Sequence, residues 1–171
     1  MKKAVLFIAF FALICACQKE VPKEMTFEER QNIAKEIKQF QYKWLNSMEV
    51  FNNETFNVFI SGMVPGDDEV WMGNPAIWLN ELTFFPNNEV INESWQPEIG
   101  NRSSTTFKIE KDYVAVISPE QAVYVAIGTF AVTDALGNNT GDIPMSSTSV
   151  MLKKNNEWKV LHWHNSWQQD K

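Results

Sequence analysis

The sequence predicts an α+β fold in which N-terminal helices cover one face of a curved antiparallel sheet. Apolar residues recur with a helical period up to about residue 46, whereas from Ser103 onwards the chain has strand-like runs of Val, Ile, Thr and aromatic residues. The links between these runs are only a few residues long, which favours antiparallel hairpins over crossovers. Helices followed by strands are typical of a layered α+β domain. A long sheet covered on one side should curl into a cone-shaped barrel with a cavity.

Two helices are predicted near the start of the domain. Thr26 and Glu29 have the spacing of a capping box, and an apolar stripe follows them over residues 26–46. The stripe consists of residues at helical spacing: Ile33, Ile37, Phe40, Trp44 and Leu45. A second, shorter helix is predicted over residues 54–60.

The middle of the chain carries weaker signals. Residues 70–73 and 75–80 predict a short hairpin that turns at Gly73 and Asn74. Pro86 occupies a plausible first position of a further helix, since proline is favoured there.

Four strands are predicted in the second half of the chain. Asn155 and Asn156 suit a two-residue turn between the last two. The predicted strands cover residues 105–117, 122–133, 145–153 and 158–167.

The N-terminus has the composition of a bacterial lipoprotein signal. Lys2 and Lys3 precede a run of small and apolar residues that is too short for a permanent transmembrane helix. The run ends in Ile14, Ala16 and Cys17, which resemble a lipobox with Cys17 as the lipidated residue. We therefore expect a signal peptide at 1–16, a polar tether at 17–25 and one domain at 26–168, lipid-anchored in the cell envelope. The alternatives are an ordinary cleaved signal and an uncleaved anchor.

Charge and cysteine content exclude several classes of function. The formal net charge is −6, and without Lys2 and Lys3 it becomes −8. An acidic chain without a basic cluster argues against a nucleic-acid partner. Because Cys15 and Cys17 are the two cysteines of the chain, the mature domain would lack a disulfide, a zinc thiolate site and a cysteine nucleophile.

The last predicted strand carries a resemblance to a known family. Its order of residues resembles the last strand of SnoaL-like domains in the nuclear transport factor 2-like superfamily, and also the association domain of calcium/calmodulin-dependent protein kinase II. The order of elements is similar from about residue 26 to residue 167. The resemblance implies a cone with a pocket between helices and sheet, and a homodimer formed through the outer sheet face. It does not imply one activity, because this superfamily includes enzymes and binding modules. The matching residues are Trp158, Val160, Leu161, His162, His164 and Ser166.

Strict alternation along this strand would place Trp158, His162, His164 and Ser166 on one face, and Trp163 and Asn165 on the other. The resemblance implies that the face with Trp163 lines the pocket. His162 and His164 have three interpretations: a general base, two metal ligands, or a structural pair hydrogen-bonded with Ser166. We favour the structural pair, and we expect no metal and no cofactor.

The predicted pocket is aromatic. We expect Trp71, Phe130, Trp163 and Asn165 to line it and to hold a small apolar ligand. Asp112 lies beside Lys111 and is expected on a solvated face. The resemblance places Gly128 where the kinase domain has a pocket arginine, which argues against anion binding.

The function predicted from the sequence is a membrane-anchored lipoprotein that binds a small apolar ligand or forms a dimer without catalysis. The alternative is an acid–base enzyme of ketosteroid isomerase or dehydratase type, which would use His164 or a carboxylate in the pocket as its base.

Overall fold

A computed structural model of the chain describes residues 24–64, 71–76, 81–85, 93 and 95–167, with the backbone alone described for 71–76 and 81–85. The predicted signal peptide, the acceptor Cys17 and most of the tether lie outside the described residues. None of the described helices is both long enough and apolar enough to cross a membrane.

The two predicted helices are confirmed. Helix α1 spans Phe27–Asn46, and Thr26 caps it with Glu29 in a reciprocal capping box. Helix α2 spans Asn53–Ser61 and is capped in the same way by Asn52. Their apolar faces turn inward, so Ile37 of α1 and Phe59 of α2 are completely buried.

A single six-stranded sheet packs under these helices. Its spatial order is β2-β1-β6-β5-β4-β3, and every neighbouring pair is antiparallel except β1 and β6, which are parallel. A short 3-10 turn at Gln96–Glu98 precedes β3. The strands are β1 Trp71–Ala76, β2 Glu81–Phe85, β3 Arg102–Ser118, β4 Gln121–Asp134, β5 Ile143–Lys154 and β6 Glu157–Trp167.

The four main strands and their antiparallel pairing are confirmed. Strand β6 pairs with β5 through the predicted two-residue turn, in which Asn155 and Asn156 have φ angles of 50° and 65°. Asparagine tolerates this left-handed conformation better than most residues, so the turn chemistry was readable from the sequence.

The predicted hairpin in the middle of the chain was placed wrongly. Gly73 and Asn74 lie inside β1, where they pair with Phe84 and Thr83, so they do not form the turn. The connection covers residues 77–80, whose sequence contains neither glycine nor proline to mark a turn. The helix predicted after Pro86 falls largely on residues 86–92, which lie outside the described residues.

The strand pairs β3–β4 and β5–β6 contain four register shifts, and the two that lie in the middle of a strand are β-bulges that change which side chains face the helices. In β3 the register shifts between Ile109 and Lys111, so that Glu110 is the extra residue. In β6 the register shifts opposite Val150 and Met151, so that Leu161 is the extra residue. A bulge bends its strand and increases the local twist, and both bulges therefore curve the sheet around the core.

Candidate functional site

A cavity lies against the concave face of the sheet, where Met48 of the α1–α2 connection and Trp95 before the 3-10 turn close it. Its volume is about 40 Å³, which is room for a few water molecules and far below the roughly 300 Å³ at which most ligand sites begin. An organic ligand would therefore require side chains at the rim to move. The lining is mostly aromatic with a few polar groups: Met48, Trp95, Arg102, Thr105, Phe107, Phe130, Val132, Trp163, Asn165 and Trp167.

Three of the four residues predicted to bind a ligand line this cavity. Phe130 reaches it from β4, and Trp163 and Asn165 reach it from β6. The backbone of Trp71 pairs with His162 at the start of β1, but the side chain of Trp71 is outside the part of the chain that is described.

Trp163 belongs to the wall of the cavity and to the hydrophobic core at once. Its ring is 5% exposed and meets the rings of Trp44 and Phe59 edge-on, with centroid distances of 5.1 and 5.6 Å. Its indole Nε1 donates a hydrogen bond of 2.8 Å to Ser147 Oγ, which satisfies its one polar atom. The orientation of Trp163 is therefore fixed by the core and not by a ligand.

Two buried polar atoms of the cavity lining lack a hydrogen-bond partner. Thr105 Oγ1 and Asn165 Oδ1 are both inaccessible to solvent, and neither has a partner among the described residues. Buried polar atoms in native proteins are normally paired, so such atoms indicate a place for water or for a ligand. Asn165 was predicted from the sequence, whereas Thr105 was not distinguished from the other threonines of β3.

Arg102 also lines the cavity and was not predicted to do so. Its Nε lies 2.5 Å from Glu98 Oε2, and its guanidinium lies 5.5 Å from the centroid of the Trp95 ring. The carboxylate compensates the charge of the arginine, so the cavity does not present a free cation. Arg102 is at the start of β3, whereas the resemblance directed attention to Gly128 on β4.

Gly128 has no room for a side chain. A Cβ atom built on it would lie 2.0 Å from the carbonyl oxygen of Lys108 on the neighbouring strand. This close approach occurs beside the bulge of β3, where Gly128 pairs with Ile109. The position that corresponds to the pocket arginine of the kinase domain is therefore occupied here by the close approach of the β3 backbone to Gly128.

The strict alternation predicted for β6 was wrong, because the bulge at Leu161 shifts its phase. Trp158 and Val160 are buried before the bulge, and Trp163 is buried after it. Trp158 thus shares the inner side with Trp163, and its Nε1 donates to Glu36 Oε2 at 3.0 Å. This hydrogen bond is the main cause that lowers the pKa of Glu36 below its ordinary value of 4.5.

The two histidines do not lie in the cavity. His164 is exposed on the outer side of β6, and His162 is half-buried beside it. Ser166 shares a hydrogen bond of 2.7 Å with Ser146 on β5. The placement gives His164 no route to a ligand in the cavity, so it does not support the alternative in which His164 is the base.

Asp112 was wrongly predicted to be solvated. The bulge at Glu110 turns its side chain inward, where it is 12% exposed and 2.5 Å from Lys38 Nζ on α1. The buried Tyr124 is its neighbour, and burial together with the charge of Asp112 raises the pKa of the Tyr124 hydroxyl. This polar cluster lies under α1 and does not line the cavity.

The lining of the cavity has few means for acid–base chemistry. Among the described residues that line it there is no Asp, Glu or His, and its one charged side chain, Arg102, is paired with Glu98. In the described part of the chain, no three His, Cys, Asp or Glu side chains cluster in a way that could hold a metal ion.

The outer face of the sheet carries an exposed apolar row. Tyr113, Ile117, Val125 and Ile127 on β3 and β4 are between 38% and 68% exposed. Isolated apolar side chains on a surface are ordinary, but a row on one sheet face marks a candidate interaction surface. We call these four residues the outer apolar row.

The element order and the curved sheet around this cavity define a nuclear transport factor 2-like fold. No protein-family model matches the sequence, and a comparison with curated proteins found no significant match. Solved structures do match, and they confirm at the level of the fold the resemblance that the last strand suggested.

Three of these structures illustrate the likeness. A proposed dehydratase of the NTF2-like family from Streptomyces avermitilis is 13% identical with a TM-score of 0.66, and the match covers 82% of this chain and 99% of that one. A proposed scytalone dehydratase from Novosphingobium aromaticivorans is 7% identical with a TM-score of 0.69, covering 84% and 89%. The association domain of C. elegans CaMKII is 15% identical with a TM-score of 0.62, covering 82% and 99%.

Proposed function

We propose that this chain is a lipid-anchored envelope protein whose cavity binds a small, uncharged, apolar ligand without chemical turnover. The observation that carries the proposal is the lining of the cavity, which combines aromatic walls with two unpaired polar atoms and lacks a free acid or base among the described residues. The similarity to proposed dehydratases supports a small-molecule ligand, because both share the fold around the cavity.

The ligand is best tested with a probe of one aromatic ring. We expect fluorobenzene to bind, as measured by broadening of its fluorine resonance, with little change between pH 5 and pH 8 because no free titrating group is found among the described residues that line the cavity. Val132→Phe should abolish binding by filling the cavity. Ile127→Phe is the matched control, since it adds the same ring to β4 on the outer face.

Two results would contradict this proposal. Binding that survives Val132→Phe unchanged would place the ligand elsewhere. Turnover of a ketosteroid-like or hydroxylated substrate, with a bell-shaped pH profile that is lost in His164→Ala, would establish the enzyme instead.

The lipid anchor rests on the sequence alone. A chain processed at Cys17 and acylated there would stay in the membrane fraction, because each buried methylene contributes roughly 0.8 kcal/mol. Intact mass of that fraction should show an acylated chain that begins at Cys17. Cys17→Ser should release the protein, and a soluble wild-type product beginning at another residue would disprove the anchor.

We further propose that the outer apolar row is the interface of a homodimer. Four large apolar side chains on one sheet face are costly in water, at about 25 cal/mol per Å² of apolar area. The association domain of CaMKII, which shares this fold, is by its name a domain of assembly.

Sedimentation velocity of the chain without residues 1–17 tests the dimer. At tens of micromolar we expect a dimer for the wild type and a monomer for Ile127→Asp, since a buried unpaired carboxylate opposes association. Leu136→Asp is the control, because Leu136 is also exposed but lies in the loop between β4 and β5. A wild-type monomer would refute the interface.

A further inference from the structure

We propose that the ligand of the cavity is a one-ring aromatic that carries a hydroxyl group, a phenol and not a plain hydrocarbon. This inference rests on the proposed function, because it specifies the chemistry of the ligand for the same cavity.

A hydroxyl group would satisfy the two unpaired polar atoms of the cavity lining. Thr105 is 5% exposed and Asn165 is half-buried, yet Thr105 Oγ1 and Asn165 Oδ1 have no partner among the described residues. A hydroxyl of threonine donates and accepts, and an asparagine amide offers an oxygen on one side and a nitrogen on the other. A group that both donates and accepts therefore complements the pair, and a hydroxyl is the smallest such group on an organic molecule. A pure hydrocarbon would leave both atoms unpaired in a dry site.

The walls of the cavity are aromatic rings that pair with one another. Phe107 and Phe130 stack with centroids 6.3 Å apart, and Trp167 meets Phe130 edge-on at 5.5 Å. Phe107 also meets Trp163 edge-on at 6.4 Å. Rings at these separations already pair with one another in stacked and edge-on geometry, and a further ring can join them in the same geometry. A flat aromatic ligand therefore suits these walls better than a flexible chain.

The charge in the described lining of the cavity is already compensated. Arg102 is the one cation of the lining that the structure describes, and Glu98 holds its guanidinium at 2.5 Å. A carboxylate ligand would have to compete with Glu98 for this arginine. The site thus favours a neutral hydroxyl over an acid group.

The size of the cavity limits the ligand to one ring. The cavity of about 40 Å³ is too small for a fused ring system. Trp167 is half-buried at the end of β6 whereas Trp163 is buried, so Trp167 is the wall that can move to admit a ring, and the ligand would then take its place against Phe130. One ring with one hydroxyl is the ligand that needs the smallest rearrangement.

The experiment compares phenol, toluene and benzoate as competitors for bound fluorobenzene on the full-length protein. We expect phenol to bind about tenfold more tightly than toluene, because the hydrocarbon leaves two buried polar atoms unpaired. Thr105→Val and Asn165→Leu should each reduce this preference, because each removes a hydrogen-bond partner of phenol and a polar atom that toluene leaves unpaired. Thr106→Val is the matched control, since Thr106 is the next residue of β3 and does not line the cavity; it should leave the preference unchanged.

Each other outcome is decisive. Equal binding of phenol and toluene overturns the hydroxyl inference and leaves the apolar pocket standing. Retention of the phenol preference in both Thr105→Val and Asn165→Leu also overturns it, and tighter binding of benzoate than of phenol would show an anion site at Arg102. Failure of all three compounds to compete, in a protein that binds fluorobenzene, overturns the inference alone, whereas absence of any fluorobenzene binding removes the proposed function. If one variant fails to fold, as judged by circular dichroism, the other carries the test.

Discussion

Replacing Gly128 by alanine is expected to destabilise the domain by about 3 kcal/mol or more, although it adds a single methyl group. The new Cβ would lie 2.0 Å from the carbonyl oxygen of Lys108, and its next neighbour is 3.0 Å away in the same peptide group. Both atoms belong to the backbone of β3, so no side-chain rotation can relieve the contact. Either β3 and β4 must separate at the bulge, or their pairing must slip.

Equilibrium urea unfolding of the purified protein measures this effect. Gly100→Ala is the control, because Gly100 has a φ of +99° but no atom within 4 Å of a built Cβ. Gly100→Ala should therefore lose only the free energy needed to hold an alanine at this positive φ, about 1–2 kcal/mol. A Gly128→Ala variant no less stable than Gly100→Ala would show that the strands do not approach so closely, and the curvature assigned to this point would be wrong.

The strands of the sheet could be predicted from the sequence, but its bulges could not. The four main strands were predictable because their apolar period, their short links and the pair Asn155–Asn156 are local signals. The two bulges were not, since one extra residue in a strand leaves no mark in composition. Their consequences followed: Asp112 faces inward although the charged residues Glu110 and Lys111 precede it, and Trp158 shares a side with Trp163.

Some residues of the candidate site could be predicted from the sequence, and others could not. Phe130, Trp163 and Asn165 were named because large aromatics and a resemblance to a known last strand pointed to them, and they do line the cavity. Thr105 and Arg102 were missed because both lie at the beginning of β3, and only the curvature of the folded sheet brings them to the cavity. The signal for Thr105 is its unpaired hydroxyl, which exists only in three dimensions.

Replacing Trp163 by alanine should destabilise the domain by about 3–5 kcal/mol, because it removes a nearly completely buried indole from the centre of the aromatic core. In the wild type the Trp163 ring meets the rings of Trp44 and Phe59 edge-on, with centroid distances of 5.1 and 5.6 Å. Both contacts would be lost in the variant. Ser147 Oγ is also buried, and it would lose the 2.8 Å hydrogen bond that the indole Nε1 of Trp163 donates to it. The cavity and the core would thus open together.

The matched control is the next residue of the same strand. His164 is exposed on the outer side of β6, so His164→Ala should change the free energy of unfolding by no more than about 0.5 kcal/mol. Urea unfolding at a fixed protein concentration compares the two variants with the wild type. A loss below about 1 kcal/mol in Trp163→Ala would mean that Trp163 is a replaceable wall of the cavity. If the loss is in the expected range, weak ligand binding by Trp163→Ala would reflect damage to the core and not the loss of a ligand contact. Val132→Phe, which fills the cavity instead of emptying it, is then the better test of the site.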